Sequence, residues 1–472
     1  MLFSSLEFLY LFLPLTCVLY FGCPPRYRNL VLFIMSLIFY GLGEPIYVFL
    51  MVATVGADFA FGLAIERFPT RARGILWSAV IFNLALLGFF KYYDFFVSIL
   101  SRLPIFSSLR PLSLSLPIGI SFYTFQALSY VIDVYRHTVS AQRSFLKFGT
   151  YVSLFPQLIA GPIVRYSDIA DELDKRTSNL GGAAEGVRRF AVGLSKKVLF
   201  ANAAGALWES MRVANGEAAS VLGAWLGLFA YALQIYFDFS GYSDMAIGLG
   251  KIFGFHFPEN FRYPYVAESV SDFWRRWHIT LSSWFREYVY IPLGGNRRGK
   301  LCTYRNLLVT WALTGFWHGA SWNFLLWGLY FFLLLSLEKA FLGKWLSALP
   351  RAVRHGYALL AILFGWLIFA FDGSSDTLSL AAGLRYVGNL FGIGTVGWSN
   401  GHALYEWTRH LPLLLLMVLG ATPIPARAAV RVRDKLPRLF GAVSVCLIAC
   451  ALVVCTAYLV DSGYNPFLYF RF

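Results

Sequence analysis

Residues Glu268 to Arg305 read ESVSDFWRRWHITLSSWFREYVYIPLGGNRRGKLCTYR, the densest polar stretch of the chain. It carries seven basic residues against three acids, Glu268, Asp272 and Glu287. Phe273, Trp277, Leu281, Trp284 and Tyr288 recur at steps of four, four, three and four, which is one face of an α-helix. Arg275, Arg276, Ser282, Ser283 and Arg286 fall largely off that face. The spacing predicts an amphipathic helix over 267–291 at a membrane surface, ended before Pro292 and followed by the Gly294-Gly295 turn. The rest of the chain supplies the membrane. Of its 472 residues 58% are hydrophobic and 14% charged, where a soluble domain carries about 25% charged residues.

Apolar stretches recur from Phe8 to Val460, several near the ~20 residues that a bilayer span requires. They include Phe8 to Phe21, Leu30 to Gly43, Ile46 to Ile65, Ile75 to Phe90, Leu116 to Val134, Val221 to Phe239 and Leu439 to Val460. The expectation is an all-α polytopic membrane protein, one integral-membrane domain over 1–472. Phe148 to Ile163, Leu307 to Trp317 and Leu411 to Gly420 are short for a span and suit re-entrant or protein-enclosed helices. The first stretch has no basic residue before it, so it reads as a retained span rather than a cleaved signal. Forty Lys and Arg against twenty-five Asp and Glu give a net charge of +15. In a membrane protein that excess belongs to cytoplasmic loops, not to nucleic acid. Clusters at Arg26/Arg28, Arg67/Arg71/Arg73, Arg136/Arg143/Lys147 and Arg427 to Arg438 are separated by even numbers of spans, which puts both termini outside the cytoplasm.

The six cysteines form no CxxC pair and lie near no histidine at zinc spacing, so neither a disulfide framework nor a metal is implied. His318, in LTGFWHGASWNFLLW, is an ionisable group in apolar surroundings and is the first candidate for chemistry. An imidazole takes a proton from a hydroxyl near neutral pH and returns it to a leaving thiol. A histidine bonded between packed helices would have the same sequence. Asp238 and Asp244, in YFDFSGYSDMAIGLG, read as helix-to-helix hydrogen-bonding groups among close-packing glycines. Arg275, Arg276 and Trp277 of the amphipathic helix, with Asn296, Arg297 and Lys300 of the GGNRRGK loop, are candidates to receive an anionic donor or an acidic carrier protein. The same residues also serve a loop that only orients and anchors.

The run SDFWRRWHITLSSWFREYVYIPLGGNRRG, followed by TGFWHGASWNFLLWG, resembles the membrane-bound O-acyltransferases, in the branch of the alginate and peptidoglycan O-acetyltransferase membrane subunits. PIGISFYTFQALSYVIDVYR, SLFPQLIAGPIVRY and YFDFSGYSDMAIGLG extend the resemblance over most of Met1 to Glu338. It implies a ring of about 11 or more transmembrane helices with short re-entrant and interfacial ones, in a bacterial inner membrane. It implies that His318 is catalytic and that His278 is a second functional histidine. The ending FLYFRF resembles a terminal motif of this branch, in which the tyrosine, here Tyr469, is proposed to accept the acyl group on an extracytoplasmic tail over 461–472. Implied partners are an acyl donor, acetyl-CoA or a carrier protein, and an extracytoplasmic acetyltransferase acting on a polysaccharide, with membrane lipid around the chain and no bound cofactor. A D-alanyl-transferring relative fed by a carrier protein and a non-catalytic transporter are the competing expectations.

Overall fold

The computed structural model describes residues 1–214 and 219–461, and all regular structure among them is helical. By length and composition, six helices among the described residues can cross a bilayer: Tyr47–Arg67, Pro69–Leu100, Val221–Ile252, Trp322–Ala348, Arg351–Ala370 and Pro437–Asp461. Gly401–Gly420 and Ile424–Lys435 pass that test only as a pair, bent by 66°. Other expected spans form shorter helices. Arg28–Gly43 and Ile120–Tyr135 have 16 residues each, or about 24 Å against a hydrocarbon core of about 30 Å.

Burial sorts these helices. The apolar window of Val221–Ile252 is 83% buried, whereas that of Pro437–Asp461 is only 6% buried. The first is surrounded by protein. The second presents its apolar side chains to whatever solvent surrounds the molecule, which for so hydrophobic a surface is lipid.

The fold contains two compact units. One comprises Met1–Phe190 with Tyr242–Glu259. Within it Ile120–Tyr135 is buried along nearly its whole length and packs against Tyr47–Arg67 and Ala72–Leu100. Asp58 accepts a hydrogen bond from Asn83 Nδ2 at 2.7 Å. Arg189 bridges Asp244 (2.8 Å) and Glu259 (2.5 Å).

The other unit comprises Ala191–Gly241 and the chain from Asn260 onward. Its core is aromatic, with Trp208, Phe273, Trp327, Phe331, Trp366 and Phe369 buried together. Lys300–His318 and Trp322–Leu337 form a close antiparallel pair in which neither Gly315 nor Gly328 could carry a Cβ. One would meet Phe324 O at 2.2 Å and the other Trp311 O at 2.3 Å. Ser321 begins the second helix by accepting from Asn323 N, and its Oγ donates to Asp372 O at 2.7 Å, tying the turn to the chain beyond Arg351–Ala370.

The continuous helix expected over 267–291 is broken. Val270–Trp274 and Ile279–Phe285 are separate helices, followed by a π-helical turn over Arg286–Tyr290. The interruption has a tertiary cause. Asn260 takes up the groups that would have continued the helix: its backbone O accepts from Ile279 N (3.0 Å) and its Oδ1 from Thr280 N (3.4 Å) and Thr280 Oγ1 (2.9 Å). His278 at the break adopts left-handed φ +42°, a conformation no helical residue has. The first piece is anchored separately, Glu338 accepting from Val270 N (2.7 Å) and Ser271 N (2.9 Å). The aromatic register itself is kept. Phe273, Trp277, Leu281, Trp284 and Tyr288 are all buried, but against protein.

Candidate functional site

His318 ends the Lys300–His318 helix, 7% exposed, where the Gly315–Gly328 crossing brings the next helix against it. The imidazole is walled by rings. Trp327 and Phe369 stand perpendicular to it at centroid distances of 5.0 and 5.2 Å, and Trp317 lies 4.9 Å away. A Cβ at Gly319 would sit 2.3 Å from the Phe324 ring, so the residue after His318 has to be glycine for that ring to close the turn.

His278 is 2% exposed and stands on edge against Phe239 at 4.6 Å. Its Nδ1 lies 3.0 Å from Asn260 Oδ1. An amide oxygen only accepts, so Nδ1 carries the proton and Nε2 the lone pair. Nε2 is buried and has no hydrogen-bond partner among the described residues. Burial, with His318 as the lesser cause, pushes the pKa of His278 well below the ordinary imidazole value, so the ring is neutral at neutral pH. The two histidines are neighbours. His318 acts electrostatically on His278, and the Trp317 ring lies beside both, 6.3 Å from His278.

A measurable consequence follows for stability. The pKa of His278 is lower folded than unfolded, so protonation favours the unfolded chain. Its contribution is complete above about pH 6.5 and is lost as the pH falls from there toward the depressed folded value. Thermal inactivation in detergent is expected to accelerate as the pH falls below about 6.5. His278→Gln, which does not titrate, should flatten that slope, and an unchanged slope would assign the acid sensitivity to another group.

The expected donor residues separate. Trp277 lies in the aromatic core, its ring stacked on Phe273 at 5.5 Å. Arg276 bonds Asp272 (3.0 Å) and Arg262 O, while Arg275 is exposed. Asn296 and Arg297 come together with Arg286, Tyr290 and Arg298 around a cavity of about 460 Å³. Lys300 begins the His318 helix and is not part of that lining. The loop is held to the same helix, with Asn306 Nδ2 donating to Gly295 O (2.9 Å) and Arg305 to Leu293 O (3.2 Å). Gly294, Gly295 and Gly299 all take positive φ, which is why the loop reads GGNRRG. Asn306, to which the loop is tied, stands twelve helical steps before His318, roughly 18 Å along the helix at 1.5 Å per residue. A second cavity of about 700 Å³, lined by Glu268, Asp272, Glu338, Lys339 and Arg354 among others, contains neither histidine. Tyr469 and the tail beyond residue 461 lie outside the described residues.

Sequence reasoning missed Asn260. It lies 18 residues before His278, in a segment without periodicity, and nothing local announces that its side chain orients an imidazole. The Asp238 and Asp244 partners were also missed. Both carboxylates make ion pairs rather than only helix-to-helix hydrogen bonds, Asp238 with Lys197 at 2.8 Å in one unit and Asp244 with Arg189 in the other.

Comparison with known proteins adds to this geometry. A profile of MBOAT, the membrane-bound O-acyltransferase family, matches residues 137–371. The "Probable alginate O-acetylase AlgI" of Azotobacter vinelandii is 37% identical, covering 100% of both chains. The protein of the same name from Pseudomonas putida is 38% identical, again over 100% of each. The "Peptidoglycan O-acetyltransferase" of Helicobacter pylori is 35% identical over 81% of this chain and 80% of its own.

Proposed function

This chain belongs to the membrane-bound O-acyltransferase family and is a multi-pass O-acyltransferase, and from that premise we propose that it passes acetyl groups from a cytoplasmic thioester across the membrane for O-acetylation of a polysaccharide. The observation that carries the reading is the pair of buried imidazoles beside Trp317, one of them neutral with an unoccupied acceptor. Full-length similarity to an alginate O-acetylase and 81% coverage by a peptidoglycan O-acetyltransferase support acetyl as the group and an envelope or secreted glycan as the destination.

His318 acts as the base. A hydroxyl oxygen attacks the thioester carbonyl while His318 takes its proton; the C–O bond forms, the C–S bond breaks, and the proton passes to the departing thiolate. His278 Nε2 accepts a hydrogen bond from the donor and holds its carbonyl in reach, its tautomer set by Asn260. The basic pocket of Arg286, Arg297 and Arg298 receives the donor's phosphates. The helical span of roughly 18 Å between the loop's anchor at Asn306 and His318 favours a long donor, acetyl-CoA or a carrier-bound pantetheine arm, over a small acyl phosphate. The first acceptor is Tyr469 Oη, whose phenolate, with a pKa near 10, leaves more readily than an alkoxide when a partner acetyltransferase outside the inner membrane collects the acetyl group. In this scheme both termini are extracytoplasmic, in keeping with the distribution of basic loops.

The test is mass spectrometry of the carboxyl-terminal peptide after incubating purified protein with labelled acetyl-CoA. Label is expected on Tyr469 and absent from Tyr469→Phe. An unlabelled wild type, in a preparation that still acetylates glycan with its partner, would remove the tyrosine relay and leave direct transfer.

A further inference from the structure

Trp327 and Asn323 stand one turn apart on the Trp322–Leu337 helix and therefore share a face. Both are buried, Trp327 at 1% exposure and Asn323 at 5%. Their N–H donors, Trp327 Nε1 and Asn323 Nδ2, have no hydrogen-bond partner among the described residues. The buried Trp366 of the same unit finds an acceptor, its Nε1 donating to Tyr265 Oη at 2.9 Å, and the half-buried Trp225 donates from Nε1 to Leu390 O at 3.0 Å. A polar group left without an acceptor in an apolar interior demands a reason. Trp274 Nε1 is also without a partner, but that ring packs on Trp311 and Phe331 and not on His318. The Trp327 ring lies 5.0 Å from the His318 imidazole at 82°, and Phe324, between Asn323 and Trp327 in sequence, closes over Gly319 beside it. The two donors are therefore held on the element that walls the reacting histidine.

We propose that Trp327 Nε1–H and Asn323 Nδ2–H form the oxyanion cradle of this enzyme, stabilising the carbonyl oxygen of the acyl thioester as it becomes negative. The assignment rests on the acyl-transfer reading given above. When the acceptor oxygen adds to the carbonyl carbon, the C=O π pair moves onto oxygen, and His318 holds the acceptor's proton. The two N–H groups donate to that oxyanion and are themselves unchanged. On collapse the oxygen pair re-forms C=O, the C–S bond breaks, and the thiolate takes the proton from His318. Donors that bond nothing in the resting protein suit this role, because they lose no existing bond when charge develops, and dry surroundings strengthen what they form.

The experiment measures kcat and KM for labelled acetyl-CoA in the full-length enzyme in proteoliposomes, with its acceptor. Trp327→Phe keeps the ring and removes the donor, and Asn323→Leu removes the amide at similar volume. Each is expected to lower kcat about 100-fold while KM moves less than about threefold, because the lost interaction exists only in the transition state. Should Trp327→Phe fail to accumulate, Asn323→Leu decides by the same criterion. Values of kcat within about threefold of wild type in the accumulating variants overturn the cradle, as does a loss of kcat matched by a rise in KM and a lowered melting temperature, the signature of packing alone. A wild type without thioester turnover overturns the acyl-transfer reading instead, and a His318→Ala variant with undiminished turnover overturns His318 as its base.

Discussion

His318→Ala is expected to lower acetyl transfer by at least about 1,000-fold while the protein still accumulates in the membrane, since removing a general base costs about 10²–10⁴ in rate and this base also returns the proton to the thiolate. Retention of fold follows from the site. The imidazole stands at the end of its helix, walled by Trp317, Trp327 and Phe369, and the hairpin is held by the Gly315–Gly328 crossing and by Ser321, neither of which involves the imidazole. The measurement is initial rate of transfer from labelled acetyl-CoA, with yield and melting temperature as controls. His318→Gln should be as inactive as His318→Ala, because it restores hydrogen bonding without basicity. A variant with wild-type rate would deny His318 the role of base and assign the proton transfer to another group.

Lys197→Met is expected to destabilise the protein by about 3–5 kcal/mol, enough to prevent accumulation of a marginally stable fold. Lys197 and Asp238 are 2.8 Å apart with side chains 2% and 4% exposed, and Lys197 Nζ also donates to Asn202 Oδ1 at 3.1 Å. The lysine sits in a π-helical turn, Lys196–Ala201, which packs so closely against Gly241 that a Cβ there would meet Lys196 Cβ and Lys197 N at 3.1 Å. Methionine fills a similar volume but leaves the carboxylate of Asp238 without its cation in a site that water does not reach. The double variant Lys197→Met with Asp238→Leu removes both charges and should recover much of the loss, since paired burial of charge adds little net stability over an apolar pair. Membrane yield and melting temperature read both variants. A stable single variant, or a double variant no better than the single, would count against the pair as a coupled unit.

Much of the helical class was legible because bilayer spans are long and apolar, and burial of the 273–288 aromatics was legible because helical spacing survives even where the helix does not. The break at His278 was illegible, since its cause is Asn260, a polar residue 18 positions upstream whose effect is felt only through contact. The intramembrane aspartates were seen, but not their cations; Arg189 lies 55 residues from Asp244. His318 announced itself by being ionisable among apolar neighbours. Trp327 and Asn323 could not, because an indole in a Leu- and Phe-rich helix reads as packing until its N–H is found without an acceptor.

The nearly bare Pro437–Asp461 helix makes bilayer thickness a variable of this protein. Its apolar run, Leu439 to Val460, is about 33 Å long at 1.5 Å per residue, a little more than a hydrocarbon core of about 30 Å, so it tilts or deforms the lipid around it. Neighbouring protein ordinarily sets such a tilt, but here Cys455 is its one buried residue, and the helix touches the Lys196–Ala201 turn. Acyl-chain length in the surrounding lipid therefore bears directly on the segment that holds the Lys197–Asp238 pair.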